Sequence, residues 1–450
     1  MKNVAIIGAG ESGLGAALLA KQMGYGVFVS DLGQIKEERK ARLVESGVEF
    51  EEGKHSEERI LDSDLIVKSP GIPFTTPLMK KAVDKGLAVI DELELAHHVS
   101  NGKIIAITGT NGKTTTTLLI YHLLKSAGLN VGLAGNVGHS WSGQLLQGDK
   151  DWWVIETSSF QIDGMQTFHP HIAILTNVTP DHLDRYEGQV EKYMKSKFRL
   201  FINQKANDFA LFYKEDMISK SGIKEAKIRA KKHFISLNAE NNPSAFLQGD
   251  ELVAKVNQEE IRIPTKALPI AGKHNVINAL FAITAAKTAG LSQAQIEAGL
   301  QSFENAPHRL EKVAEIEGVS YINDSKGTNV EATAYALESY NQGVIWIAGG
   351  VDKGNDYTPL VPLVSARVKA LICLGKDNVK LQKAFAGIID EIRETQNIKE
   401  AITWSRQMAQ KGDVVLLSPA CASFDLFKNY EDRGDQFRAG VLDLKMKISA

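Results

Sequence analysis

Cysteine is almost absent: Cys373 and Cys421 are the only 2 in a chain of 450 residues. Two thiols cannot frame a fold of this size, and their scarcity fits a reducing compartment in which both are small buried residues. An excess of one charge is missing as well. With 52 Lys plus Arg against 54 Asp plus Glu, no global positive field exists to hold nucleic acid or an anionic membrane, and no local basic patch replaces it. Long apolar runs are lacking too, since none approaches the ~20 residues that span a bilayer. The apolar stretch Val4 to Ile7 breaks at once into Gly8-Ala9-Gly10-Glu11-Ser12-Gly13, unlike the core of a signal peptide. Neither an internal repeat nor a low-complexity segment occurs. The expectation is a cytoplasmic, monomeric protein with no nucleic-acid partner and no membrane insertion.

What is present is an ordinary globular composition, 43% apolar and 24% charged, in a chain long enough for about three domains of ~150 residues. Val4 to Ile7 reads as a buried strand, Leu14 to Met23 as a helix and Val27 to Val29, ending at Asp31, as a second strand. This βαβ unit extends through strands at 64–68 and 87–90 to a boundary near residue 97, giving a Rossmann-like domain over 1–97. A fresh strand, Lys103 to Thr108, then opens a central α/β ATPase domain of P-loop type over 98–305, with strands at 152–155 and 172–176 and a helix from Gly188 to Phe201. Its stretch from Lys205 to Ile270 reads as less regular, with short strands at 251–256 and 261–263. Strands at 320–323, 344–348, 370–374 and 414–417 alternate with helices in a third, again Rossmann-like, α/β domain over 306–450.

Several strand ends carry residues suited to chemistry. Gly8-x-Gly10-x-x-Gly13, with Asp31 beyond it, is the arrangement that seats a diphosphate on a helix N-terminus, although such glycines also serve simply to let a helix pack close to a strand. Gly109-Thr110-Asn111-Gly112-Lys113-Thr114 is more specific: successive N–H groups cradle phosphates, Lys113 reaches the terminal one, and the Thr114 hydroxyl suits Mg²⁺. The strict pattern has Gly where this chain has Ile107, so it is a P-loop variant. Glu156, His182, Asp181 and Asp184 are candidate metal ligands; Mg²⁺ prefers oxygen, which favours the carboxylates. Lys197 has the spacing of an ordinary solvated helix lysine. In the last domain three loops of small and polar residues follow strands, and Lys326, Lys353, Thr328 and Ser423 on them suit a carboxylate.

Together these blocks resemble the Mur ligase family of ATP-dependent amide-forming enzymes, across all three domains. Thr108 to Thr115 matches the family P-loop, including its missing first glycine; Glu156-Thr157-Ser158-Ser159-Phe160, Asn177 to His182, and Gly272-Lys273-His274-Asn275 with Asn278 match further blocks. Within the family, Lys68-Ser69-Pro70-Gly71-Ile72 and the run Leu417 to Asp425 with Lys428 to Gly434 look like the D-glutamate-adding branch, and an Asp-Asn-Pro-Arg block of another branch is absent. Tyr430 stands where some relatives have Phe.

The resemblance implies the following roles. Glu11, Ser12, Asp31, Ser69, Pro70, Gly71 and Asn136 hold a UDP-sugar, UDP-N-acetylmuramoyl-L-alanine. Gly109, Thr110, Asn111, Gly112, Lys113, Thr114 and Thr115 hold the ATP phosphates, and Asn275, Asn278, Arg309 and Asp324 its base, ribose or terminal phosphate. Thr114, Glu156 and His182 bind Mg²⁺, two ions being expected, with Lys197 carbamylated beside them. Lys326, Thr328, Lys353, Ser423 and Tyr430 hold D-glutamate. A carboxylate activated as an acyl phosphate and captured by an amine is the chemistry implied. Rival readings are a folylpolyglutamate synthetase-like ligase, which shares the P-loop; a nicotinamide-dependent oxidoreductase built on Gly8 to Gly13; and a P-loop switch.

Overall fold

Strands in this chain are short and apolar because most are covered by helices on both faces, as parallel sheets require. The computed structural model describes residues 2–268, 272–341 and 343–449; Ile270 and the side chains of Asp184 and Ser449 lie outside the described residues. Five strands, β1 (Asn3–Ile7), β2 (Gly26–Asp31), β3 (Glu49–Glu52), β4 (Leu65–Lys68) and β5 (Ala88–Asp91), form a parallel sheet in the order β3-β2-β1-β4-β5. The order reverses beside β1, and that switch point is where a crevice opens at the carboxyl ends of the strands.

A second sheet holds nine strands: β6 (Lys103–Thr108), β7 (Val131–Gly135), β8 (Trp152–Glu156), β9 (Ile172–Leu175), β10 (Phe209–Tyr213), β11 (Lys231–Ser236), β12 (Ala245–Gln248), β13 (Glu251–Val256) and β14 (Glu259–Pro264). Their order is β14-β13-β12-β11-β10-β9-β6-β8-β7, parallel from β7 to β12 and antiparallel from there outward. The stretch after 205 is thus more regular than its sequence pattern suggests. β10, the helix Met217–Glu225 and β11 make a further βαβ unit within the same sheet. Its signal is weak because β11 begins with the exposed Lys231 and Lys232, which break the apolar run. The helix expected over 188–201 is an α-helix, Val190–Phe198, closed by a 3₁₀ turn, Arg199–Phe201.

Both sheets belong to one compact unit, Met1–Leu268 with Val276–Phe303. A single cluster of buried side chains runs from Val4 to Ala230 through both. Helix Glu92–His97, which follows β5, is fastened by its acids. Glu92 accepts from the Ser140 hydroxyl at 2.9 Å and the Ser142 N–H at 2.6 Å; Glu94 accepts from the N–H groups of Gln166, Thr167 and Phe168 at 3.0, 2.6 and 3.0 Å. Buried carboxylates need such partners, because an unsatisfied one costs several kcal/mol, roughly.

The second unit is Pro269–Asn275 with Glu304–Ala450. Its strands β15 (Glu311–Ile316), β16 (Val319–Asn323), β17 (Val344–Ala348), β18 (Val368–Leu374), β19 (Glu391–Thr395) and β20 (Val414–Leu417) are ordered β15-β16-β20-β17-β18-β19, all parallel except the β15–β16 hairpin. Cys373 and Cys421 are both buried and free, and burial pushes the Cys373 thiol up to about 12.

Candidate functional site

β6 ends in Thr108, and the loop Gly109 to Gly112 leads into helix Lys113–Ser126. Two glycines make that turn possible. Gly109 has φ +147°, and a Cβ there would meet the Thr176 hydroxyl oxygen at 1.9 Å; Gly112 has φ +81°, and a Cβ there would meet Asn278 Oδ1 at 2.5 Å. The loop is pinned from the neighbouring strand end: Thr110 N–H donates to the Asn177 carbonyl at 2.9 Å, Asn111 N–H to Asn177 Oδ1 at 2.9 Å, and Thr176 Oγ1 to the Asn111 carbonyl at 2.6 Å. Lys113 Nζ donates to the carbonyls of Gly109 and Thr110 at 2.9 and 2.8 Å. Thr114 and Thr115 are buried at the helix start. Asn278 accepts from Thr116 Oγ1 at 3.3 Å, which places it against the loop.

Because β8 lies beside β6 with Ile107 opposite Glu156, Glu156 emerges next to the P-loop. It is 1% exposed. One oxygen, Oε1, accepts from Asn136 Nδ2 at 2.7 Å, while Oε2 is buried with no hydrogen-bond partner among the described residues. A buried carboxylate oxygen left unpaired is costly, so its presence here fits a cation. Among the described residues no three His, Cys, Asp or Glu converge. A Mg²⁺ beside Glu156 would take most of its ligands from phosphate and water.

Lys197 is not solvated. It sits on helix Val190–Phe198 at 1% exposure and donates from Nζ to the Gly109 carbonyl at 2.7 Å, the same carbonyl that Lys113 holds. Burial, and after it the charge of Lys113, hold its ammonium well below the usual lysine range, against the pull of Asp181, Asp163 and Glu156. His182 has a left-handed backbone, φ +53°, with its ring 5.1 Å from that of Phe160 and 3.6 Å from the Asp181 carboxylate.

Around the first sheet, Gly13 lets the helix Glu11–Gln22 approach β1, since a Cβ there would lie 1.8 Å from the Gly8 carbonyl. Asp31 orders the same turn, accepting from Ala9 N–H at 2.6 Å and Gly33 N–H at 2.7 Å. Glu11 accepts from Ser140 N–H at 3.2 Å, and Ser12 follows it, half-buried, in the helix. Ser69, Pro70 and Gly71 follow β4, with Ser69 N–H donating to the Ile7 carbonyl at 2.8 Å. Asn136 donates from Nδ2 to Glu156 Oε1, and Ser140, four residues on, donates to Glu11.

In the second unit, Lys326 Nζ lies 3.5 Å from the centre of the Tyr430 ring, and Ser325 Oγ donates to the Tyr430 carbonyl at 2.8 Å. Asp324 is buried, which pushes its carboxyl up to about 7 against the Ser418 hydroxyl bond at 2.8 Å and the nearby Arg309. Ser423 is buried, Thr328 and Arg309 are half-buried, and Lys353 is exposed on the loop after β17. Asn275 is buried near the start of the helix Lys273–Thr288.

Three features are not foreseen from the sequence. Arg433, 1% exposed, donates to the carbonyls of Ser325, Cys421 and Gly349 at 2.8, 3.3 and 3.5 Å, and so ties together the loops after β16, β20 and β17. Lys68, at the end of β4, is buried near Asp91, whose carboxyl burial raises to about 8. Asp163 accepts from Ser196 at 2.7 Å and Tyr186 at 3.0 Å, bracing the Lys197 helix. Lys68 and Arg433 both fall within blocks that carry the family resemblance, and Lys68 also closes the apolar run Leu65-Ile66-Val67.

Comparison with known proteins agrees along the whole length. Residues 3–77 match the model described as MurD N-terminal domain, 107–286 the Mur ligase middle domain, and 308–421 the Mur ligase, glutamate ligase domain. The UDP-N-acetylmuramoylalanine–D-glutamate ligase of Christiangramia forsetii is 46% identical over 443 residues, covering 98% of this chain and 100% of that protein. The enzyme of the same name from Cytophaga hutchinsonii is 48% identical over 448 residues, with 98% and 99% covered. Among solved structures, a pseudomurein peptide ligase type C from Methanothermus fervidus superposes with a TM-score of 0.63 at 18% identity, covering 99% of this chain and 100% of that one. The UDP-N-acetylmuramate–alanine ligase MurC of Thermotoga maritima gives 0.61 at 19%, with the same coverage. These last two are likenesses of fold.

Proposed function

The chain belongs to the Mur ligase family, and from that premise we infer that it is the ATP-dependent ligase that forms the amide between UDP-N-acetylmuramoyl-L-alanine and D-glutamate in peptidoglycan synthesis. The full-length identity of 46–48% to ligases of that name carries this reading. The unpaired buried oxygen of Glu156 beside the P-loop supports it from the chemistry.

A carboxylate is a poor acyl donor. In the proposed reaction its oxygen attacks the γ-phosphorus of ATP and ADP leaves; the amine of D-glutamate then adds to the acyl phosphate, loses a proton, and displaces inorganic phosphate. Glu156, Thr114 and His182 would hold Mg²⁺, which supplies charge neutralisation at the phosphates. Lys113 would lend its charge to the terminal phosphate by exchanging the Gly109 and Thr110 carbonyls for it. Lys197 has a different part. Burial lowers the pKa of this amine and so favours its neutral form, which can add CO₂, losing a proton and becoming a carbamate, and that anion beside Glu156 would complete the metal environment. Glu11, Ser12, Asp31 and Ser69 to Gly71 would hold the UDP-sugar, with Asn136 between it and Glu156. Asn275, Asn278, Arg309 and Asp324 would hold the remainder of ATP, and Lys326, Thr328, Lys353, Ser423 and Tyr430 D-glutamate. We take the enzyme to be a cytoplasmic monomer using two Mg²⁺ ions, with domain limits near 97 and 305.

The test is phosphate release from ATP with UDP-N-acetylmuramoyl-L-alanine and, separately, D-glutamate, L-glutamate, L-lysine, meso-diaminopimelate or no amino acid, with the product mass measured. Release with D-glutamate alone, together with the amide mass, is expected. Release with a different amino acid moves the substrate, and release without any amide removes the ligase reading.

A further inference from the structure

One arginine outside the expected site residues joins its two halves. The 3₁₀ turn Leu183–Tyr186 follows directly on His182, and left-handed residues bound it on both sides, His182 at φ +53° and Glu187 at +55°. Such a turn is closely constrained: Arg185 N–H donates to the His182 carbonyl at 3.0 Å and Gly188 N–H to the Leu183 carbonyl at 2.8 Å, while Tyr186 is buried with its hydroxyl on Asp163. From this turn the Arg185 side chain reaches the other sheet of the same unit. Its Nη2 donates to the Pro70 carbonyl at 2.9 Å and its Nη1 to the Gly71 carbonyl at 3.1 Å, more than a hundred residues away in sequence. The face of its guanidinium lies 4.1 Å from the centre of the Phe160 ring, and Phe160 in turn packs on His182. A planar fork with an aromatic floor fixes both the direction and the tilt of the group, which a lysine would not do.

We propose that Arg185 is a positioning residue that couples the Ser69–Gly71 loop to the turn carrying His182, so that UDP-sugar and Mg²⁺-nucleotide each strengthen the binding of the other. The proposal rests on the reading of Ser69–Gly71 as the sugar-nucleotide loop and of His182 as part of the metal side. A ligand that orders the loop fixes the carbonyls of residues 70 and 71, these fix the guanidinium, and the guanidinium fixes the turn. Linkage makes the effect equal in both directions.

The experiment measures the dissociation constant of UDP-N-acetylmuramoyl-L-alanine by calorimetry, with and without Mg²⁺ and a non-hydrolysable ATP analogue, for the wild type, Arg185→Met and Arg185→Lys. Methionine keeps the contact with Phe160 and removes both bonds; lysine restores one donor. In the wild type the nucleotide should tighten sugar binding on the order of tenfold, a ratio that falls to about one in Arg185→Met and is intermediate in Arg185→Lys, since charge-assisted hydrogen bonds are of that strength. KM for D-glutamate should not move. A wild-type ratio of one, or the wild-type ratio retained in Arg185→Met, overturns the proposal; if Arg185→Met does not fold, the ratio in Arg185→Lys decides in the same way. Gly71→Val is the control, because a side chain there enters open space on the loop. Unchanged sugar affinity in that variant removes the sugar-loop reading and the coupling with it. Weakened affinity beside an unchanged Arg185→Met ratio leaves the reading and removes the coupling alone.

Discussion

Replacing Lys197 by methionine should make the protein more stable while stopping turnover. The amine is buried, which holds its ammonium well below the usual lysine range, and placing an amine in such surroundings costs about 1–3 kcal/mol. Methionine of similar length avoids that cost. What is lost is one hydrogen bond, to the Gly109 carbonyl at 2.7 Å, worth about 1 kcal/mol. That carbonyl is not orphaned, because Lys113 Nζ also donates to it at 2.9 Å. Burial and the lost bond alone leave a gain of about 1 kcal/mol, or about 2–3 °C in the thermal midpoint of a unit this large, and at neutral pH the proton linkage adds to it. The pH dependence has a definite sign. Since the folded state holds the lysine pKa below its unfolded value of roughly 10.4, the unfolded chain binds more protons between the two, and wild-type stability rises with pH by up to about 1.4 kcal/mol per unit within that window. The advantage of Lys197→Met should therefore be largest at low pH and shrink as pH approaches 10. Thermal melts of both proteins in CO₂-free, Mg²⁺-free buffer at pH 7, 8 and 9 measure this. A variant less stable than the wild type at pH 7, or an advantage that grows with pH, would refute the reasoning.

Glu156→Gln keeps an acceptor for Asn136 but removes the charge from the unpaired oxygen; Mg²⁺-dependent ADP binding should weaken on the order of tenfold, with metal-free ADP binding little changed, by calorimetry. Gly109→Ala should cost about 1–3 kcal/mol and abolish nucleotide binding, because its Cβ would collide with Thr176 and φ +147° excludes it; melts and ADP titration test both. Asp324, raised to about 7 by burial, binds a proton in the folded state that it has lost when unfolded above pH ~4, so its contribution is complete below pH ~4 and is lost as pH rises through 7. Asp324→Asn should accordingly flatten the stability profile between pH 5 and 8 in melts across that range, and an unaltered slope would contradict this.

Parallel sheets are legible in the sequence where strands are buried on both faces and end in glycine, as at β1, β6 and β17, because an apolar run closed by a Gly-rich turn can form little else. Other strands are hidden, among them β11, inside the second sheet, whose first residues are lysines, and β3, Glu49–Glu52, three glutamates and Phe50 at the edge of the first sheet. Lys113 and Glu156 can be read from local pattern. Lys197 cannot, since spacing along one helix says nothing of what lies above it; only the family resemblance singles it out, and its burial against Gly109 depends on the crossing of an element 88 residues away. Arg433, Arg185 and Asp163 are invisible for the same reason. Their partners are backbone carbonyls and hydroxyls, which leave no trace in composition.

Glu92 and Glu94 set a limit on how this chain could be recombined. Cutting after residue 97 would leave two acids, buried in the intact protein, without the Ser140–Ser142 and Gln166–Phe168 donors that satisfy them. A chimera that borrows its first sheet from a relative must therefore inherit those two segments as well, or come from relatives whose residues there match. The heritable module is this discontinuous set, and a crossover at the apparent linker falls inside it.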